Sequence, residues 1–234
     1  MRRMNGDNER TWSWVGFAAQ VAFVVSWLIA PAWQGDDYNS LKHSISDMYA
    51  DTAPNGWFLV LVLTLCGLAT VLFALLAVRP ALRAGGRRAT VGAVLLALSI
   101  FGLGDLLSPF EREACRLADV GCTGSDQTAN LGGKLDNALS TIGILLFIAA
   151  AFVLGSAMRR APGWRSSVWP ARGVGIAFAL LLVAFVAGES ADLGGLFERL
   201  LAGFGSLAIA TLAWRIARRP APDRRLGAGA AVDS

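Results

Sequence analysis

Histidine occurs once in this chain, cysteine three times, and charged residues fill only 16% of its 234 positions. Each shortage removes a class of function. A single His, His43, sets aside the His- and Cys-rich ligand sets that mark zinc sites. No Gly-x-Ser-x-Gly elbow is present, so the hydrolase nucleophile turn is missing. The charge is also too sparse for a soluble surface, because 55% of residues are hydrophobic and the mean hydropathy is +0.52. The formal net charge of +4 invites a nucleic-acid partner. No aromatic-basic platform or recognition motif accompanies it, and we expect no such partner.

What the sequence has instead is six long apolar runs, 12–33, 57–78, 90–107, 137–158, 171–188 and 196–214. Each has about the 17 to 25 residues that span a bilayer as a helix. The expected fold is an all-α membrane protein with six transmembrane helices. A head of residues 1–10 precedes the membrane domain of 11–217, and a tail of 218–234, rich in Pro, Gly and Ala, reads as disordered. Ala30-Pro31-Ala32 resembles a signal-peptide cleavage site, but the apolar run before it is too long for one.

Orientation follows from the loops. Sixteen of the 21 basic residues lie before the first run, in the second and fourth connections, and after the sixth run, whereas thirteen of the 17 acids lie on the other side. Short loops rich in Lys and Arg stay inside, so both termini are expected in the cytoplasm and the protein in the inner or plasma membrane. Cys115 and Cys122 then fall in the third, outward loop, where a disulfide stabilises by roughly 2 to 3 kcal/mol. Cys66, inside the second run, reads as a small buried hydrophobe.

Function is expected outside, in the acidic loops and helix ends. From Asn39 or Ser40, the apolar residues Leu41, Ile45, Met48 and Tyr49 recur with helical spacing, which predicts a short amphipathic surface helix ending before Pro54. On its other face His43, Ser46 and Asp47 fall within about 100° of one another. Ser99, Gly102, Asp105 and Ser108 form a polar and small stripe on the third helix. Asp136, Asn137, Ser140 and Thr141 share one face at the start of the fourth, and Arg199, Gly203, Ser206 and Ala210 one face of the sixth. Such stripes let helices approach closely. Glu189, Asp192 and Glu198 stand near the same depth, while Glu111, Glu113, Asp119 and Asp126 read as a solvated loop.

Ionisable groups at membrane depth point inward and find partners. Arg199 with Asp105 or Asp136 is expected either as an interhelical ion pair or as part of a site, and His43 with Asp47 either as a solvated i, i+4 pair or as a catalytic one. His43, Asp47 and another acid form the set that a divalent metal ion would use. Ser44 or Ser46 with His43 is a weaker nucleophile arrangement, since sequence neighbours rarely reach the base geometry.

Two stretches, Tyr38-Asn39-Ser40-Leu41-Lys42-His43-Ser44-Ile45-Ser46-Asp47-Met48 and Gly195-Leu196-Phe197-Glu198-Arg199 with Trp214 beyond, resemble the motifs of the six-helix bacterial and archaeal membrane proteins grouped as domain of unknown function 998. The resemblance implies six helices and an outer polar site, with no established activity. The chain departs from the family pattern near the start of the fourth helix, where Asp136 and Asn137 stand in place of a His. The third, outward connection, with Cys115 and Cys122, is also longer than the family's.

The expected function is binding of an amphipathic, lipid-like ligand or a membrane partner in an outward polar pocket. Ser44, Ser46, Asn137, Ser140, Glu198 and Arg199 would hold the head, with Arg199 as a bidentate donor to phosphate or carboxylate. The alternative is an intramembrane hydrolase or transferase acting on a lipid headgroup, with His43 or Asp47 as general base and Asp105 or Asp136 as second carboxylate or metal ligand. An ion-coupled transporter ranks third, because the helix centres are almost uncharged, with Gln20 and Ser99 the main polar interruptions.

Overall fold

Apolar runs of this length satisfy their own backbone only as helices, and the computed structural model is all-α, with no strand among the residues it describes, 2–189 and 191–219. Six helices organise it: α1 (Arg2–Ile29), α2 (Gly56–Phe73), α3 (Arg87–Ala97), α4 (Leu131–Met158), α5 (Val168–Glu189) and α6 (Gly194–Ala217). Among the described residues, five stretches are long and apolar enough to cross a membrane: Gly6–Trp33, Gly56–Ala81, Leu131–Met158, Arg165–Gly188 and Gly194–Ala217. The expected head continues α1. The tail from residue 220 and the Glu189 side chain lie outside the described residues.

The third run departs from the single helix expected over 90–107. Its helix stops at Ala97, only about 16 Å at 1.5 Å per residue. Ser99 then turns extended (ψ 174°), and a wide π turn, Ile100–Gly104, carries the chain onward. The Ser99 hydroxyl donates to the Leu96 carbonyl at 2.7 Å, which satisfies a backbone group at the break. Ser99, Gly102, Asp105 and Ser108 therefore do not form one helical stripe.

The helices close a ring in which α1 packs on α2 and α6, α3 on α4, α4 on α5, and α5 on α6; the π turn fills the gap between α2 and α4. Its centre is aromatic: Phe101 stands 5.0 Å from Phe147 and 5.9 Å from Phe23, and Phe147 stands 4.7 Å from Phe178. Close approach is bought with small residues, as membrane helices require. A Cβ on Gly67 would sit 2.3 Å from the backbone nitrogen of Leu106, so α2 meets the third run backbone to backbone. Between α1 and α2, the Gln20 amide donates to the Thr70 hydroxyl at 2.9 Å and the buried Cys66 thiol to the Ala19 carbonyl at 3.1 Å. Leu28, Leu65, Leu180, Val183 and Leu207 face outward around the ring.

One end of this ring is closed by two long connections, residues 34–55 and 108–130. The first holds no amphipathic helix. Asn39 caps a turn, its side chain accepting from the Leu41 N–H at 2.9 Å, and regular structure is limited to the 3-10 turn Ser46–Tyr49. Helical spacing is present, but the carbonyls that a helix would use internally are drawn to α6 instead.

Candidate functional site

The first four N–H groups of a helix need outside acceptors. At α6 two of these acceptors come from the first connection: Gly195 N–H donates to the Lys42 carbonyl at 3.1 Å and Leu196 N–H to the Leu41 carbonyl at 2.9 Å. The contact is so close that a Cβ on Gly195 would lie 2.2 Å from the His43 carbonyl oxygen. Arg199, one turn on, donates to the carbonyls of Ser40 (2.7 Å), His43 (2.8 Å) and Gly195 (2.9 Å) and to the Tyr38 hydroxyl. The Glu198 carboxylate accepts the Ile45 N–H at 2.7 Å. Tyr38 in turn donates to the Ser44 carbonyl at 2.9 Å. The two stretches that stand out in the sequence are thus the halves of one clasp.

The second connection is laid over the first. Asp47, fully buried, accepts N–H groups of Leu117 (2.6 Å) and Ala118 (3.3 Å) and the Gln127 amide (3.1 Å). Arg112 donates to the carbonyls of Tyr49 and Ala50, both at 2.9 Å, and Arg116 to that of Gln34 at 2.8 Å. The Cys115–Cys122 disulfide closes the tip. Asn130 caps α4 by accepting the Gly133 N–H at 2.7 Å, and Thr123 with Asp126 forms a capping box before it.

Beneath this cover lie carboxyls with few positive partners. Glu113, 8% exposed, accepts from the Gln127 amide at 2.8 Å and from the Ser46 hydroxyl at 3.3 Å. Glu111 is 3% exposed, and no donor among the described residues reaches its buried Oε1. Asp136 accepts from the Tyr49 hydroxyl at 3.1 Å. Burial, with the neighbouring charges of Asp136 and Asp105, pushes Glu111 up to about 8. Burial, with Asp136, Asp47 and Glu198 nearby, pushes Glu113 up to about 9. Both are protonated at neutral pH. These two were expected to be solvated. The second connection folds inward at their positions because Arg112 and Asp47 pin it to the first.

The other expected site residues fall as follows. His43 is 5% exposed, and its Nδ1 accepts the Asn39 N–H at 3.0 Å, which places the ring proton on Nε2. Burial lowers its pKa, against the pull of Asp47, so the ring is neutral. Burial raises the pKa of Asp47, opposed by the N–H groups it accepts. The pair is neither solvated nor on a helix face. Ser44 and Ser46 hydrogen-bond each other at 2.9 Å. On α4, Asp136 is buried and Ser140 partly so, whereas Asn137 and Thr141 are exposed; the expected single face divides. Arg199 forms no ion pair with Asp105 or Asp136, since the pairs among the described residues are Lys42–Asp192, Arg112–Asp51 and Arg116–Asp119. Asp105 lies instead against α2 at Gly67. Among the described residues, no three His, Cys, Asp or Glu side chains come together as a metal-ion site.

A family model described as "Protein of unknown function (DUF998)" matches residues 17–215, which takes in both halves of the clasp and the buried acids. No curated protein and no solved structure matches the chain.

Proposed function

The chain belongs to the DUF998 family of proteins of unknown function, and on that premise we propose that it binds an amphipathic cation, with the ammonium head among Glu111, Glu113 and Asp136. It does so as a six-span protein of the inner or plasma membrane, with residues 87–107 as the third crossing, both termini in the cytoplasm and the clasped end outside. The distribution of arginine supports this orientation.

One observation carries the ligand assignment: the buried Glu111 oxygen that no donor among the described residues reaches, in a cluster that no described Lys or Arg pairs with. An unmade hydrogen bond to a buried carboxyl is costly, and an ammonium N–H supplies both the bond and the charge. Arg199, the head-group donor suggested by the sequence, is already engaged by three carbonyls and Tyr38. Exposed Phe110, beside Glu111, and exposed Leu131 offer apolar surface for the ligand's chain.

The hydrolase or transferase reading has less support. His43 Nδ1 is occupied by a backbone N–H, and Asp47 is committed to Leu117, Ala118 and Gln127. The break at Ser99 is a feature that transporters share, but the aromatic cluster beside it offers no polar path.

Because Glu111 and Glu113 hold protons at neutral pH, binding of a cation releases them. Calorimetry on the full-length protein in a neutral mild detergent, with a long-chain primary alkylamine, is expected to show proton release and affinity that rises from pH 6 to pH 9. Glu111→Gln weakens it. Equal or tighter binding of an alkyl sulfate of the same length, insensitive to Glu111→Gln, overturns the assignment.

A further inference from the structure

At the arginine-rich end of the ring, far along α2 from the clasp, a cavity of about 420 Å³ opens between the end of α2 and the start of α3, lined by Leu75, Arg79, Pro80, Arg83, Ala89 and Thr90. We propose that this cavity is a binding site for a phosphate group, carried by an anionic membrane lipid. Four independent features of the site fit that chemistry.

Its two guanidinium groups are unspent. Among the described residues neither Arg79 nor Arg83 is ion-paired; Glu9 lies within electrostatic reach of Arg83 but forms no salt bridge with it. The α3 N-terminus next to them is uncompensated. Gly86 supplies no side-chain cap, and the first turn carries Arg87 and Arg88 with no acid, the charge sign a helix N-terminus disfavours. An anion relieves both conditions, since it pairs with the two arginines and lies at the positive end of the α3 dipole. The Thr90 hydroxyl adds a neutral donor on the same wall.

The remaining walls are apolar. Leu75, Pro80 and Ala89 lead from the arginines toward Val91, Val94 and Leu98, which are exposed along α3, and toward Leu68, Leu65 and Leu61, exposed along α2. A charged rim continuous with exposed apolar helix faces suits a phosphate that carries acyl chains. Free phosphate uses the rim alone.

The test compares retained lipid in full-length protein by native mass spectrometry, after reconstitution in phosphatidylcholine with or without phosphatidylglycerol. Phosphatidylglycerol is expected to be retained preferentially, and Arg79→Gln/Arg83→Gln to weaken its retention about tenfold, the scale of one lost charge-assisted bond. Arg159→Gln/Arg160→Gln, which removes the same charge from another loop, leaves retention unchanged. Should the first double variant not fold, Thr90→Val is expected to show a smaller loss in the same direction. Inorganic phosphate that displaces the lipid, in an Arg79- and Arg83-dependent way, keeps the site and assigns it to free phosphate. Equal loss in both double variants, or no loss in the first, overturns the proposal.

Discussion

The Arg199 guanidinium donates to the His43 carbonyl oxygen at 2.8 Å, and that same oxygen lies where a Cβ on Gly195 would collide with it. A helix start, a connecting loop and a half-buried cation therefore share one point. Arg199→Ala leaves the carbonyls of Ser40 and His43 without their donor, and about 2 to 4 kcal/mol of stability is expected to go with it. Gly195→Ala is expected to cost at least as much, because the obstructing atoms are backbone and do not swing away. Thermal unfolding in detergent measures both. Arg199→Lys, with a single ammonium that does not span four acceptors, recovers only part.

Asp47 gives a test of structural against catalytic use. Asp47→Asn keeps an oxygen for the Leu117 N–H, whereas Asp47→Ala abandons two N–H groups and the Gln127 amide. The alanine variant is expected to lose about 1 to 3 kcal/mol more than the asparagine variant. Hydrogen exchange at Leu117 and Ala118 should accelerate in the same order. Equal exchange in the two variants would contradict the role assigned to the carboxylate.

The disulfide predicts a labelling pattern. Cys115 and Cys122 should resist a thiol reagent until a reductant is added, while buried Cys66 stays unreactive in the folded protein under both conditions. Reduction opens a short loop and is expected to remove roughly 2 to 3 kcal/mol.

Glu111 and Glu113 set a pH dependence. Their folded pKa values, about 8 and about 9, stand above the ordinary carboxyl value of 4.5. Across the interval between, the folded state holds protons that the unfolded state has lost, so stability falls as pH rises. Their contribution is complete below pH 4.5 and gone once pH passes through 8 to 9. The melting temperature should therefore decline from pH 5 to pH 9, and Glu111→Gln should flatten the decline. A melting temperature that climbs over this range would count against the buried, protonated acids.

Five of the six apolar runs were legible as helices long enough to cross a membrane, because a span of about 20 apolar residues has few alternatives in lipid, whereas the third breaks at Ser99. The disulfide was legible from two cysteines in one loop, and Glu198 and Arg199 stood out as charges at a helix start. Their tasks did not show, because the groups they hold are backbone atoms of Ser40, His43 and Ile45, which carry no signature in side-chain identity. The periodicity of Leu41, Ile45, Met48 and Tyr49 pointed to a helix for the same reason. It records which side chains are buried, and a 3-10 turn packed under a loop buries Ile45, Met48 and Tyr49 just as well.

Apolar run length was enough to establish an all-α chain built for a membrane, since hydrophobic thickness acts on each segment separately, while the direction proposed for it rests on arginine placement alone. The break at Ser99, the clasp and the burial of Glu111 and Glu113 needed the assembled ring. The clasp and the buried acids depend on contacts between residues dozens to more than a hundred positions apart. Glu111 and Glu113 look solvated in the sequence because the groups that pin their connection inward lie in the first connection, some 60 positions earlier.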